Sequence, residues 1–183
     1  MTKTLRWFLD KERAEPLSVE RLKSYAFRPK LKFVYYSEIE SGESLDELIG
    51  AGDGACIILW DVGQKNTVGH YTMIYRWKGK TFYWGPIGLS VSRLASVLKT
   101  SGAKILKLLD GHNAVVNSHR YQRVDKHVQT CGRLCVMRWN FAEFDEHEFR
   151  ALMHYKGMDP DTVVTFLTLD TDLSHWSKIA KKK

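Results

Sequence analysis

A continuous apolar run followed by a hairpin constrains the fold more than any other part of the sequence. The run extends from Ala55 to Trp60, and its lack of alternation is typical of a buried strand. His70 to Trp77 and Lys80 to Trp84 flank Lys78-Gly79 and are rich in strand-forming residues, which indicates a hairpin. A buried strand has to be covered by helices. The sequence therefore predicts an α+β domain with a central mixed β-sheet packed against helices.

Shorter sequence patterns predict the other helices and strands. They predict helices at 18–25, 44–49 and 90–100, strands at 31–36 and 114–116, and a segment at 104–109 that suits a strand or a helical extension. Ser18 is the expected N-cap of the first of these helices. Leu94, Val97 and Leu98 share one face of the helix at 90–100, and we expect them to be packed.

Length and composition favour one domain in a reducing environment. With 183 residues, 44% of them hydrophobic, the chain suits a single domain at 1–183, with an N-terminal preamble at 1–30 and a basic tail at 178–183. Cys56, Cys131 and Cys135 cannot all pair, and no N-terminal segment resembles a signal peptide. No apolar run approaches the ~18 residues of a membrane span, so we expect no membrane partner.

The residues Thr130-Cys131-Gly132 open a second apolar segment, which is typical of a buried helix. Thr130 is a suitable N-cap, and Cys131 would then take the first helical position. There the unpaired backbone N–H groups and the helix dipole favour the nucleophilic thiolate. Gly132 would leave room for a substrate backbone beside the sulfur. The alternative is a buried structural cysteine.

Two polar residues precede this cysteine in positions from which their side chains can face the thiol. His70 stands where a loop becomes a strand, so its imidazole can face a cleft, although such a histidine can also be a surface or capping residue. Gln122 lies in the segment that leads to Cys131. The alternative interpretation of Gln122 is an ordinary exposed amide.

The order of these motifs resembles the adenovirus-type cysteine proteases of clan CE, whose relatives include the SUMO-specific proteases. The resemblance is to the versions in virophages, polinton-like elements and large DNA viruses in particular. It covers roughly 31–168 and rests on Gly69-His70, Pro86-x-Gly88, Tyr121-Gln122 and Thr130-Cys131-Gly132-Arg133. Papain-like enzymes have the cysteine before the histidine, and chain order argues against them.

The resemblance implies a role for each of these residues. Cys131 would be the nucleophile, His70 the base that takes its proton, and Gln122 the side-chain donor of the oxyanion hole. Gln129 is a rival donor, but it lies only two residues before the cysteine. The implied protein is a monomeric thiol protease of the virion and the host cell interior, cytosol or nucleus, acting on viral precursor proteins during particle maturation. No cofactor is required by the sequence, and activation by DNA or by a peptide stays open.

One position departs from the family pattern. Family members carry Asp, Glu or Asn just before the Pro-x-Gly turn to orient the histidine, and here that residue is Gly85. A Cys-His dyad with a water or backbone carbonyl as orienter, a substitute acid, and an inactive descendant all fit this change. Asp61 is the best substitute acid, because it would lie at the same sheet end as His70 if their strands are antiparallel neighbours.

Two further patterns have ordinary explanations. His127, Cys131 and Cys135 are spaced i, i+4, i+8, but His127 precedes the expected N-cap, so we expect no metal site and place Cys135 in the core. A basic cluster near the cysteine accompanies a formal net charge of +7 and suits either DNA or a solvated face; its members are Arg120, Arg123, Lys126, Arg133 and Arg138.

The alternative functions are of two kinds. One is a virion or nucleic-acid-binding protein that keeps the fold but is catalytically impaired, which Gly85 favours. The other is a protease for ubiquitin-like modifiers, which share the motif order.

Overall fold

A mixed sheet of five strands forms the centre of the part of the chain that the computed structural model describes, residues 3–61, 69–125 and 127–169. The strands lie side by side in chain order: β1 (Leu31–Tyr35), β2 (Gly54–Trp60), β3 (His70–Trp77), β4 (Lys80–Trp84) and β5 (Val115–Val116). The pairs β1–β2 and β4–β5 are parallel, and the two central pairs are antiparallel. The predicted α+β class, the mixed sheet and the hairpin are confirmed.

Helices cover this sheet. In chain order they are α1 (Lys3–Ala14), α2 (Val19–Ser24), α3 (Leu45–Ile49), α4 (Val91–Val97), α5 (Ala103–Leu109), α6 (Cys131–Asn140), α7 (Glu146–Met153) and α8 (Pro160–Leu167). Short 3-10 turns occupy Tyr36–Glu38 and Tyr155–Gly157. No helix in the described ranges is long and apolar enough to cross a membrane. The predicted basic tail at 178–183 lies outside the described residues.

Most of the predicted helices are present near their predicted positions. The Ser18 hydroxyl accepts the Arg21 N–H and starts α2, as predicted. The ambiguous segment at 104–109 is helical, and it belongs to α5. The helix predicted at 90–100 ends at Val97, whose side chain is 65% exposed, so the expected packing of Val97 is wrong. The region predicted as a preamble contains α1, which the sequence reasoning missed.

The strand β2 is buried on both faces because its alternating side chains pack into two separate hydrophobic cores. Ala55 and Ile57 face α6 and its neighbouring helices, in a core that also includes Met73, Tyr75, Leu134, Trp139, Phe149 and Val164. Cys56 and Ile58 face α3, α4 and α5, in a core that also includes Trp60, Ile74, Tyr83, Leu94 and Ile105. This arrangement explains the continuous apolar run from which the strand was predicted.

Helix α6 is buried along its whole length, from Cys131 to Asn140. Even its charged side chains are enclosed: Arg133 is 0% exposed and Arg138 is 3% exposed. A helix without a solvent face must be held by tertiary packing rather than by its own propensity.

The first prediction tests this packing. Leu134 is 0% exposed in the core between α6 and the sheet, so Leu134→Ala should lower the free energy of unfolding by about 2–5 kcal/mol through lost burial and a cavity. Leu106→Ala is the matched control, because Leu106 is 48% exposed and should change stability by about 0.5 kcal/mol or less. Urea unfolding of both variants measures the difference, and equal losses would contradict the proposed core.

Candidate active site

The sulfur of Cys131 lies where a helix begins and meets a strand. Cys131 is the first residue of α6 and is buried. Burial raises the pKa of the Cys131 thiol, while hydrogen bonds from the backbone N–H groups of Tyr71, Gly132 and Cys131 itself act in the opposite direction. Tyr71 directly follows the predicted base, His70, in β3, so its N–H holds the thiol next to the start of this strand.

Thr130 occupies the predicted N-cap position but does not cap the helix with its side chain. Its hydroxyl donates instead to the carboxylate of Asp161 in α8. The first N–H groups of the helix are therefore left to the Cys131 sulfur, and Thr130 is the N-cap by position only.

His70 begins β3 and pairs with Trp60 of β2. The residue as a whole is partly exposed, but its Nε2 is buried and has no hydrogen-bond partner among the described residues. Burial lowers the pKa of His70 from 6.5 to about 4. The imidazole is consequently neutral at physiological pH, the form that a general base requires.

Gln122 is buried in the loop that leads to α6, not exposed as an ordinary surface amide would be. Its backbone N–H donates to the carbonyl of Pro86 (3.0 Å), and its Nε2 donates to the carbonyl of Val128 (3.0 Å). One hydrogen of the amide nitrogen is thus used and the second is left for another acceptor. Its Oε1 is buried without a partner within the described ranges.

Cys131, His70 and Gln122 line one open cleft of about 350 Å³. Apolar residues of α4 and of the loop before α6 complete its walls, among them Leu94, Val97 and Val124. A second pocket of about 240 Å³ lies on the other side of Cys131 and is lined by Gly69, Tyr71 and the α1–α2 connection. The rival amide of Gln129 lines both pockets. The predicted nucleophile, base and donor are therefore brought together around a space that can admit a chain.

Asp61 lies at the sheet end that carries His70, because Trp60 and His70 are paired across antiparallel strands. Its carboxylate, however, accepts hydrogen bonds from the backbone N–H of Ser37 (2.9 Å) and from the Ser37 hydroxyl. Both carboxylate oxygens are engaged by the turn that follows β1, so Asp61 holds that turn. Its role as orienter of His70 stays a prediction.

Gly85 stands where the resemblance predicts an acid, and its backbone is clamped by Asn117. The Asn117 Oδ1 accepts the Gly85 N–H (2.8 Å), and Asn117 Nδ2 donates to the Gly85 carbonyl (3.0 Å). A Cβ at this position would meet Thr72 Cγ2 at 3.5 Å, which is ordinary van der Waals contact. Thr72 shares a face of β3 with His70, two residues away. The backbone at position 85 can thus carry a Cβ without a clash.

Gly132 allows close packing at the start of α6. A Cβ there would lie 2.7 Å from Leu22 Cδ1 and 3.1 Å from Tyr71 Cδ2, so α6 approaches α2 and β3 closely at this point. Gly132 also lines the pocket of about 240 Å³ beside Cys131. The expected room for a substrate backbone beside the sulfur stays a prediction.

Cys135 lies one turn further along α6 and is buried in the core, as predicted. No group of three His, Cys, Asp or Glu side chains within residues 3–61, 69–125 and 127–169 is arranged to hold a metal ion.

The predicted basic cluster is not one surface. Arg133 donates to Glu12 and to Thr168, and Arg138 donates to the carbonyls of Phe141 and Phe144, so both are internal. Arg120 and Arg123 are exposed, and Lys126 lies outside the described residues. The inclusion of Arg133 and Arg138 in a DNA-binding face was wrong, because a helix buried on every side leaves its charges no access to phosphate.

Two residues of the site were not identified from the sequence. They are Asn117, which holds the backbone of Gly85, and Asp161, which accepts the Thr130 hydroxyl. Asp161 is 0% exposed, and burial raises the pKa of its carboxyl group, while hydrogen bonds from Thr130 and the Arg123 N–H oppose this. The available signal was the Asp159-Pro160-Asp161 start of α8, which contains one carboxylate more than a cap needs.

Comparison with known proteins gives a viral relative without an assigned activity. No family model matches the chain. It is similar to the uncharacterized protein V9 of Sputnik virophage, with 24% identity over 155 residues that cover 76% of this chain and 87% of that protein. This similarity supports a viral origin.

The second prediction concerns acid. Below pH 6.5 the unfolded chain binds a proton at His70 that the folded protein does not take up until the pH falls to about 4, so this group destabilises the fold as the pH falls through that window. The loss is at most about 3 kcal/mol. Urea unfolding near pH 7 and near pH 4 should show a smaller acid loss in His70→Gln than in the wild type. Equal losses would mean that the folded imidazole titrates normally.

Proposed function

We propose that this protein is a viral cysteine endopeptidase that cleaves virion precursor proteins during particle maturation. The observation that carries the proposal is the convergence at Cys131: the thiol begins α6, accepts the Tyr71 N–H next to His70, and shares a cleft with His70 and Gln122. Nucleophile, base and oxyanion donor are the three groups that acyl transfer from a peptide requires.

The reaction follows from these positions. The Cys131 sulfur attacks the scissile carbonyl while His70 accepts the thiol proton. The tetrahedral oxyanion is stabilised by the Cys131 N–H and the remaining amide hydrogen of Gln122. His70 returns the proton to the leaving amine, the C–N bond breaks, and a thioester remains on Cys131. Water, deprotonated by His70, hydrolyses the thioester and regenerates the thiol.

The charge state of the resting site supports a dyad that works by general-base catalysis. Burial lowers the pKa of His70 to about 4 and raises the pKa of Cys131, so the resting pair is a neutral thiol and a neutral imidazole. The proton then moves to His70 as the sulfur attacks. A thiol can react in this way with less help than a serine hydroxyl needs.

Two observations support the viral side of the proposal and its substrate class. The relative found by comparison is a virophage protein. The cleft at Cys131 is open and has apolar walls at Leu94 and Val97, features that suit an extended peptide with apolar side chains.

The absence of an acid at Gly85 favours a second candidate, a virion protein with the same fold and an impaired site. Among the described residues, no carboxylate bonds to Nε2 of His70. A protease for ubiquitin-like modifiers would use the same three residues, and substrate profiling separates it from a maturation protease.

The third prediction tests the nucleophile and base. Cys131→Ala and His70→Ala should each abolish cleavage of fluorescence-quenched peptides, because each removes a reacting group. Cys135→Ala is the matched control, one turn along the same helix and buried in the core, and should retain cleavage. Labelling of wild-type Cys131 by an electrophilic peptide probe at neutral pH is measured in parallel. A folded wild type that neither cleaves nor labels would move the assignment to the impaired protein.

The same assay decides between the two amides. Gln122→Ala should lower kcat by about 100-fold or more, as the loss of one oxyanion donor does. Gln129→Ala should leave kcat largely unchanged, since only Gln122 is both buried and anchored toward the cleft. The reverse order would make Gln129 the donor.

The fourth prediction concerns the acid. Gly85→Asp should raise both kcat/KM and the pKa of His70, the latter by about 1 unit or more, because a carboxylate near an imidazole stabilises its charged form by ~1.4 kcal/mol per unit. Gly85→Ala controls for the added Cβ, which meets only ordinary contacts. The titration of the imidazole is followed by NMR.

Asp61→Asn completes this test. Since the Asp61 carboxylate is bonded to Ser37, we expect the variant to keep most of its turnover. A loss of several orders of magnitude would instead make Asp61 the orienter.

A further inference from the structure

We infer that Asp161 is a positioning residue that holds the Gln122 loop and the start of α6 in fixed relation to each other. This inference rests on the proposed peptidase, in which Gln122 and Cys131 must face one carbonyl group.

The two side-chain oxygens of Asp161 bond to two different parts of the site. Oδ1 accepts the hydroxyl of Thr130, the residue directly before Cys131. Oδ2 accepts the backbone N–H of Arg123 at 3.0 Å, and Arg123 directly follows Gln122. Each bond is thus one residue away from a group that the reaction uses. Asp161 is the point at which the donor loop and the nucleophile helix are joined.

The carboxylate is not needed to cap its own helix. Asp159 already caps α8, accepting the Thr162 N–H at 3.1 Å. The side-chain bonds of Asp161 both leave the helix, reaching residues 31 and 38 positions earlier in the chain. Since Asp161 is 0% exposed, a carboxylate without these partners would carry a large desolvation cost.

Other bonds also hold this loop. Gln122 is bonded to Pro86, in the turn after β4, and to Val128, three residues before Cys131. The Arg123 side chain adds little, because its Nε lies 3.8 Å from the carboxylate and the side chain is 56% exposed. The Asp161 carboxylate bonds both to the residue after Gln122 and to the residue before Cys131, so it fixes these two positions relative to each other.

The experiment compares variants that break or keep these bonds. Asp161→Ala removes both acceptors, whereas Asp161→Asn keeps the shape and can still accept the Arg123 N–H. Thr130→Val removes the hydroxyl, and Thr130→Ser keeps it. Asp159→Ala is the matched control, since it weakens the start of the same helix without touching either segment. Initial rates on a pooled library of fluorescence-quenched octapeptides, then on its best member, give kcat and KM per titrated Cys131.

The expected result is a loss in kcat with little change in KM. Asp161→Ala should lower kcat by about 100-fold, the effect of a small displacement between reacting groups. Asp161→Asn and Thr130→Ser should each regain most of the activity that Asp161→Ala and Thr130→Val lose. Asp159→Ala should lower the melting temperature and keep kcat.

A second readout is the pH dependence of Cys131 alkylation. The negative charge of Asp161 disfavours the Cys131 thiolate, so Asp161→Ala should shift the pH profile of Cys131 alkylation by iodoacetamide to lower pH. Slower peptide cleavage by a more acidic thiol is a combination that general loosening of the fold does not produce.

Unchanged kcat in Asp161→Ala, or an equal loss in Asp159→Ala, would overturn the inference. If Asp161→Ala does not fold, the Thr130 pair decides, and equal kcat in Thr130→Val and Thr130→Ser would overturn it. A wild type that cleaves no peptide removes the proposed function instead. Hydrogen exchange at the Arg123 amide then decides about Asp161: faster exchange in Asp161→Ala or Thr130→Val supports it, and unaltered exchange with an unaltered alkylation profile overturns it.

Discussion

The contact between the first turn of α6 and the first residues of β3 determines the rest of the structure. The Tyr71 N–H bonds to the Cys131 sulfur, and Gly132 allows Leu22 and Tyr71 to approach the helix closely. A Cβ at position 132 would require the Leu22 side chain to shift and would crowd Tyr71, so glycine allows the close packing of α6 on α2 and β3. The same packing that fills the core therefore also sets the geometry of the site.

A helix that is buried on all sides cannot leave its charges unpaired. Arg133 meets this requirement by donating to Glu12 of α1 and to Thr168 at the end of α8. The Gln129 N–H adds a bond to the Arg13 carbonyl at 2.8 Å. The N-terminal segment is consequently attached to α6 through Glu12 and to the loop just before α6 through Arg13. It is part of the scaffold of the site and not a preamble to it.

Prediction from the sequence succeeded where the signal is local. The apolar run of β2, the turn at Lys78-Gly79 and the cap at Ser18 each report on their own neighbourhood, and each was located correctly. Contacts between distant segments were not visible. Arg133 and Asp161 look like surface charges in the sequence. No neighbouring residue indicates that Arg133 pairs with Glu12 or that Asp161 pairs with Thr130. The absence of any polar face between Leu134 and Trp139 was a usable hint that Arg133 and Arg138 would be internal.

The candidate site could be predicted in composition but not in charge state. Motif order singled out Cys131, His70 and Gln122, which line one cleft. Their protonation depends on burial, which only the fold reveals. Burial acts against charge on both the thiol and the imidazole, whereas the N–H groups at the sulfur act for the thiolate. Burial therefore favours the neutral thiol and the neutral imidazole, and Gly85 supplies no carboxylate to oppose it.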